Sequence, residues 1–391
     1  MMYNNIILLY FMFQDYVNEI VAFANYYHNQ ISNDMDSLEL AEYICEIFKM
    51  FIDKKKIKYF YPEMVEQIIC EHVPELNDKY IFTFDEHTKK RLQQTVIDLK
   101  NSPQAPQRSP EWYAIRKTSI GASEIATIFN KNPFMSRNDL LLKKLDYKDP
   151  NKIDRVSIHC IHGIKYEDIA VACYEKYNHT HNNDFGSIKD KSISCIAASP
   201  DGISDDGTMV EIKCPYTRTI FGCPGLNYWH QMQQQLHVCE LLKCDFLECK
   251  ILEYNWSEFK KDKLNNSTQE IGIIVEYMNV SDIFDPFNAL GWFYAPLDLS
   301  INEYVEWIEI QKKVVENDPT KEFSRIIPWK LKTYSLITIY KNQKWWDIYG
   351  LDILKFWDEL EILKLNGYDS IIPKKKERKR KPVQMMFVND P

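Results

Sequence analysis

The sequence predicts a mixed α/β domain with a central sheet flanked by helices, preceded by a helical region. Three observations lead there. The first hundred residues carry apolar side chains at helical spacing, residues 109–290 read as helices followed by strands with one helix among them, and a polar, proline-bearing link at 101–108 lies between the two. With 391 residues, 45% hydrophobic and 14% aromatic, the chain can bury a large core and is not globally disordered.

Apolar spacing predicts helices at 15–28, 36–51, 62–72 and 84–99. After the link, Ser109 reads as an N-cap with Pro110 in the first turn. Ser119 or Ser123 can cap a helix at 122–129, Ser136 can cap one at 137–145, and a long helix is expected at 153–177. Strand-like runs follow at 192–198, 208–213, 245–254 and 270–278, with a helix at 227–242 before the third. The segment 291–370 reads as a mostly helical extension, with helices at 301–314 and 345–365, and 371–391 as a disordered basic tail containing the run Lys374–Lys381.

Composition removes several classes. A net charge of -8 excludes a uniformly basic nucleic-acid coat protein, though not a local basic groove. Ten cysteines occur singly, with no CxxC pair, as in a reduced intracellular protein without zinc ribbons. His159 and His162 stand at helical spacing but lack the further ligands a zinc site needs. The apolar run from Ile6 to Phe13 has no basic flank or small-residue cleavage site and is too short to span a bilayer, so no membrane association is expected.

Chemistry concentrates in one stretch. Pro200-Asp201-Gly202 ends a strand at a turn in which Gly202 can take positive φ, and Asp205-Asp206-Gly207 is a second turn, so two strands form a hairpin. Glu211 and Lys213 alternate with Ile212 on the second strand and share a face, with Asp201 delivered beside them. Two carboxylates suit a hard cation such as Mg²⁺, with Mn²⁺ as a substitute, and the backbone carbonyl of Ile212 can join them. Lys213 can orient a water or offset charge developing on phosphorus.

These residues resemble the PD-(D/E)XK nuclease signature, and the wider pattern is similar to phage lambda exonuclease and the YqaJ-type viral recombinases. The resemblance runs from Trp112 to Asp245 in five ordered pieces: Trp112-Tyr-Ala-Ile-Arg116 with Ser123, Gly163 to Glu167, Asp201, the Glu211/Lys213 pair, and Tyr228 to Gln233. It implies a restriction-endonuclease-like core. It implies that Arg116 and Ser123 contact the DNA phosphate, that Glu167 helps hold the metal, and that Gln231 stands at the active centre.

The implied activity is Mg²⁺-dependent exonuclease digestion of double-stranded DNA with free ends, 5′ to 3′, leaving single strands for an annealing protein. Lambda-like members are trimers. The process would be viral DNA recombination, repair or genome processing. An AT-rich codon usage, visible as many Ile, Lys, Asn and Tyr, suits a large DNA virus acting in the host cytoplasm, or in the nucleus if the basic tail is a localisation signal. Competing readings are an endonuclease or flap nuclease of the same superfamily, or a non-catalytic DNA-binding protein on this scaffold. Nothing in the short phage enzymes corresponds to the first hundred residues or to much of the chain after about 280.

Overall fold

Helical spacing in the first hundred residues builds four helices: α1 (residues 16–26), α2 (Ser37–Phe51), α3 (Pro62–His72) and α4 (Glu86–Asn101). The computed structural model describes residues 16–26, 36–51, 60–148, 157–265, 269–281 and 288–373, without the side chains of 49–51. The apolar run at 6–13 and the basic run at 374–381 lie outside the described residues. Pro62 sits in the first turn of α3, and the Asp85 carboxylate caps α4 by accepting from the Thr88 N–H at 2.8 Å, a contact worth about 1 kcal/mol.

These helices share one core with the rest of the chain. Ile20, Ile44, Ile69 and Leu92 are buried together with Trp229, Leu236 and Phe356 from much later in the chain. The amide of Gln67 in α3 also closes a backbone gap in the sheet, donating to the Thr338 carbonyl at 3.3 Å and accepting from the Tyr340 N–H at 3.1 Å. Nor does the link at 101–108 swing free. Ala105 bridges Ser187, and the Gln107 side chain donates to the carbonyls of Phe185 and Pro200, each at 3.3 Å. Its prolines stop α4 without removing the chain from the core.

The next elements are α5 (Pro110–Lys117), β1 (Ile120–Gly121), α6 (Ile125–Ile128), α7 (Arg137–Lys144) and α8 (Ile158–Asn178). Ser109, Ser136 and Ser157 cap α5, α7 and α8, while residues 122–124 form a 3₁₀ turn in place of the first turn of the helix expected at 122–129. Short strands follow: β2 (Asn182–Asn183), β3 (Ile188–Lys189), β4 (Ile196–Ala198) and β5 (Gly202–Ser204). Then come β6 (Thr208–Lys213), α9 (Leu226–Val238), β7 (Lys243–Glu253), α10 (Trp256–Leu264), β8 (Ile271–Asn279), β9 (Leu290–Tyr294), α11 (Ile301–Glu316), β10 (Lys321–Tyr340) and α12 (Trp345–Asn366).

Among the described residues the strands form a small sheet, β1-β4-β3, and a seven-stranded mixed sheet ordered β2-β5-β6-β7-β10-β8-β9. β5 and β6 pair antiparallel, and β6 and β7 pair parallel across the α9 crossover. That hairpin-plus-crossover is the core the sequence resemblance implies.

The 291–370 segment corrects the expectation of a mostly helical extension. Its two helices are present, but 321–340 is a 20-residue strand in the middle of the large sheet. The run lacks simple alternation because its two halves have different neighbours. Lys321–Lys330 pairs with β8 and Trp329–Tyr340 with β7, so only Trp329 and Lys330 lie between both partners. Pro328, which would argue against a central strand, falls just past the end of the β7 ladder, where its carbonyl still accepts from the Tyr254 N–H.

Candidate active site

The β5–β6 hairpin is made by its turn. Gly207 adopts φ +85°, and the Asp206 carboxylate accepts from the Thr208 N–H at 2.9 Å, closing the loop. Gly202 is not at positive φ, contrary to expectation. It is glycine because any Cβ there would collide with the Asn182 amide on the neighbouring strand.

Asp201 immediately precedes β5, and its Oδ2 accepts from the Ile212 N–H at 2.7 Å. The N–H and C=O of one strand residue project to the same edge, so the Ile212 carbonyl turns toward Asp201 while its side chain is buried. Glu211 is fully buried. Its Oε1 accepts from Lys213 Nζ and from Gln231 Nε2, the latter at 2.7 Å, and its Oε2 from Gln235 Nε2 at 2.9 Å.

Sequence reasoning placed Gln231 here and missed Gln235. The signal was their spacing, since residues four apart share a helix face. Gln233, also in the family pattern, points elsewhere and bonds the backbone of Tyr340 and Asn342. Gln234 pins α9 to the small sheet by donating to the carbonyls of Ile120 and Ala197 at 2.9 and 3.0 Å.

Arg116 and Ser123 line the same cavity as Asp201 and Glu211. Arg116 lies over the Trp112 ring, 4.5 Å from its centroid, and donates to Ser123 Oγ at 3.2 Å. Ser123 is therefore not a helix cap; it is exposed in the 3₁₀ turn. Trp112 Nε1 donates to Ser199 Oγ at 3.0 Å, tying α5 to the strand end before Asp201. That cavity, of about 160 Å³, is lined by Arg116, Ser123, Asp201, Glu211, Lys213 and Gln231, together with Gln107 and Gln235.

Glu167 does not line that cavity. It projects from α8, half-buried, and pairs with Arg108 at 3.9 Å. Burial holds its carboxyl above the ordinary range, with Arg108 and Lys213 pulling the other way. Arg108 and a second basic residue escaped sequence reasoning. Arg218 pairs with the buried Glu248 at 2.5 Å and lies 5.8 Å from the Tyr228 ring, whose centroid is 5.4 Å from Lys213 Nζ. Glu248 stands beside Lys213 in the β6–β7 register, which only the assembled sheet reveals.

The electrostatics are unbalanced. Burial, then the charge of Glu211, pushes the Asp201 carboxyl well above its ordinary pKa. Burial alone would lower the Lys213 ammonium, but Glu211 and Asp201 outweigh it and hold its pKa above the usual lysine value. One ammonium therefore serves two carboxylates in a low-dielectric pocket. Among the described residues no three His, Cys, Asp or Glu side chains gather closely enough to hold a metal by themselves, yet the charge of Glu167 still reaches Asp201 and feels Lys213 and Glu211. Asp201, Glu211 and the Ile212 carbonyl remain as hard oxygen donors whose excess negative charge suits a cation completed by water.

Residues 111–241 match the YqaJ-like viral recombinase domain, bearing out the resemblance read from Trp112 to Asp245. An uncharacterised protein of Acanthamoeba polyphaga mimivirus is 29% identical over 315 residues, 72% of this chain and 56% of that relative, in keeping with a large DNA virus. The chain thus spans little more than half the length of that relative. Among solved structures, the alkaline exonuclease of Laribacter hongkongensis is similar with a TM-score of 0.40 and 18% identity, over 65% of this chain and 93% of that one. A phage-related exonuclease from Haemophilus somnus gives 0.34 and 10%, over 63% and 96%.

Proposed function

We propose that this chain is a metal-dependent deoxyribonuclease, an exonuclease that digests duplex DNA from a free end, 5′ to 3′, in viral recombination, repair or genome processing. The observation that carries the reading is the cavity itself, which gathers Asp201, Glu211 and Lys213 with Arg116 and Ser123. Phosphodiester hydrolysis needs a nucleophilic water, a grip on the phosphate and offset for the charge that builds on phosphorus.

Arg116 and Ser123 supply the grip through an arginine fork and a hydroxyl. Lys213, kept protonated by its two carboxylates, faces the space where phosphate charge develops. Gln231 and Gln235 fix Glu211 with neutral donors, orienting the carboxylate without cancelling its charge. Mg²⁺ or Mn²⁺ held by Asp201, Glu211 and the Ile212 carbonyl would supply Lewis-acid polarisation and a more acidic water. Single-stranded product of this kind is what an annealing partner would take.

Incubation with linear and with closed-circular duplex DNA, in Mg²⁺ and in EDTA, tests the reading. Loss of linear DNA alone, abolished by EDTA and by Asp201→Ala, is the expected result. Nicking of circles would assign an endonuclease, and binding without any cleavage would overturn the enzymatic reading.

A further inference from the structure

Arg116 and Trp112 also line a second cavity, of about 530 Å³, within the range of ligand-sized pockets. Its walls bring Arg108, Lys117, Lys143 and Lys144 to the same groove as Arg116, against only Glu124 and Asp146 among acids. In a chain of net charge -8 this is a local concentration of positive field. The floor is apolar and aromatic, with Ile164, Trp112 and Tyr113. Tyr113 is 47% exposed, and its ring stands edge-on to Trp112 at 5.0 Å.

The cations divide into two kinds. Lys144 is buried and committed, donating to the carbonyls of Arg116 and Ser119 and pairing with Glu124 at 2.6 Å. Lys117 pairs with Asp146 at 2.9 Å with both side chains mostly in solvent, and Lys143 reaches Glu124 from a half-exposed position. The Lys117–Asp146 pair, exposed on both sides, contributes little, so that ammonium can turn to a phosphate at small cost, and half-exposed Lys143 can reach a phosphate while Lys144 stays on Glu124. Arg108 holds φ +65°, a conformation rarely adopted by non-glycine residues and often found at binding sites.

We propose that this groove binds an unpaired stretch of the DNA strand adjoining the phosphate in the active cavity, with a base stacked on Tyr113 and backbone phosphates on Lys117, Lys143 and Arg108. The inference rests on the nuclease reading and names its substrate more closely: DNA whose strand is frayed or single-stranded next to the cleaved bond. Stacking on an exposed ring with cations tracking the backbone is how proteins hold single strands without reading sequence. An interior paired base keeps both faces within its own stack, so a blunt duplex can offer Tyr113 only its terminal pair.

The test is fluorescence anisotropy with a labelled 12-nucleotide oligo-dT and a blunt duplex of equal length, in EDTA so that no strand is cut. Tyr113→Ala should weaken oligo-dT binding about 10-fold and duplex binding far less, with Tyr113→Phe restoring it. The double variant Lys117→Ala/Lys143→Ala should weaken oligo-dT binding and flatten its salt dependence. Tyr216→Ala, an equally exposed tyrosine outside the groove, should change nothing. Unchanged oligo-dT binding in Tyr113→Ala, or equal loss on both probes, would overturn the proposal. Because binding is read without cleavage, a chain that binds oligo-dT in this way but cuts nothing would sink the nuclease reading and leave the groove standing.

Discussion

Two buried glutamates in this molecule are each held by lysine, and they do opposite things. Glu211 shares its pocket with a second carboxylate, Asp201, and a single ammonium, Lys213. Glu124 is alone among acids, with Lys144 at 2.6 Å, Lys143 at 2.9 Å and the Gly121 N–H at 3.1 Å. The first cluster is short of positive charge and the second has more than it needs. Burial pushes Asp201 well above its normal pKa, whereas the two lysines overcome burial and hold Glu124 down to about 2. Glu124 is satisfied by protein alone, which makes it structural. The Asp201–Glu211 pair keeps two buried carboxylates on one ammonium, the kind of imbalance that marks a candidate site.

The largest effect that would break this contrast is on catalysis. Asp201→Asn keeps an oxygen for the Ile212 N–H but removes one charge. Hydrolysis of linear duplex in Mg²⁺ should fall roughly 10³-fold, while the thermal midpoint in EDTA stays level or rises because like-charge repulsion is relieved. A fall in midpoint would mean that Asp201 is structural, like Glu124.

The converse holds for Glu124→Gln. It strands Lys143 and Lys144 and should cost about 3 kcal/mol in urea unfolding at pH 7, from the shift between 4.5 and about 2. Specific activity of the folded fraction should be largely kept. The sign of the pH dependence follows. A carboxylate with a depressed folded pKa stabilises fully above its unfolded value, so this contribution is present above about pH 4.5 and is lost as pH falls toward 2. In Glu124→Gln that part of the acid destabilisation should vanish from a urea series run from pH 6 to pH 3.

Smaller effects refine the comparison. Gln235→Leu removes one of the donors to Glu211 and leaves a buried carboxylate oxygen short of a partner. It should cost about 1–3 kcal/mol in urea unfolding and slow hydrolysis roughly 10-fold. If stability drops and the rate does not, the glutamine supports the fold and not the carboxylate's aim. Lys117→Ala lies at the positive end of the contrast. It should leave stability within about 0.5 kcal/mol and lower the slope of log affinity against log salt by about 1.

Much of the negative cluster was legible in the sequence, because strand alternation and a turn of two or three residues are local rules. Asp206 and Gly207 make the turn, Glu211 and Lys213 fall on one face, and Asp201 arrives at the hairpin's other strand. Arg116, Ser123 and Gln231 came from the ordered pieces of a family pattern, and the fold brings all three to the cavity. Glu167 came the same way and stands outside it, paired with Arg108. Arg116 and Ser123 are even more remote in the chain, so distance does not separate the cases: which residues reach the cavity is set by how α5 and α8 pack on the hairpin, which the periodicity of their own residues does not specify.

By itself, then, the sequence determined the helices of the first hundred residues, the β5–β6 hairpin, the α9 crossover and the carboxylate–lysine grouping, all of which follow from periodicity, turns and caps within a few residues. Only the tertiary structure decided that the 101–108 link stays bound to the core, that 321–340 is a strand held on one side by β8 and then on the other by β7, and that Lys117, Lys143 and Arg108 converge beside Tyr113. Each of these depends on residues far apart in the chain finding a shared surface. Which face is buried, and against what, is settled by packing free energy summed over the whole core, and no short stretch of sequence carries that sum.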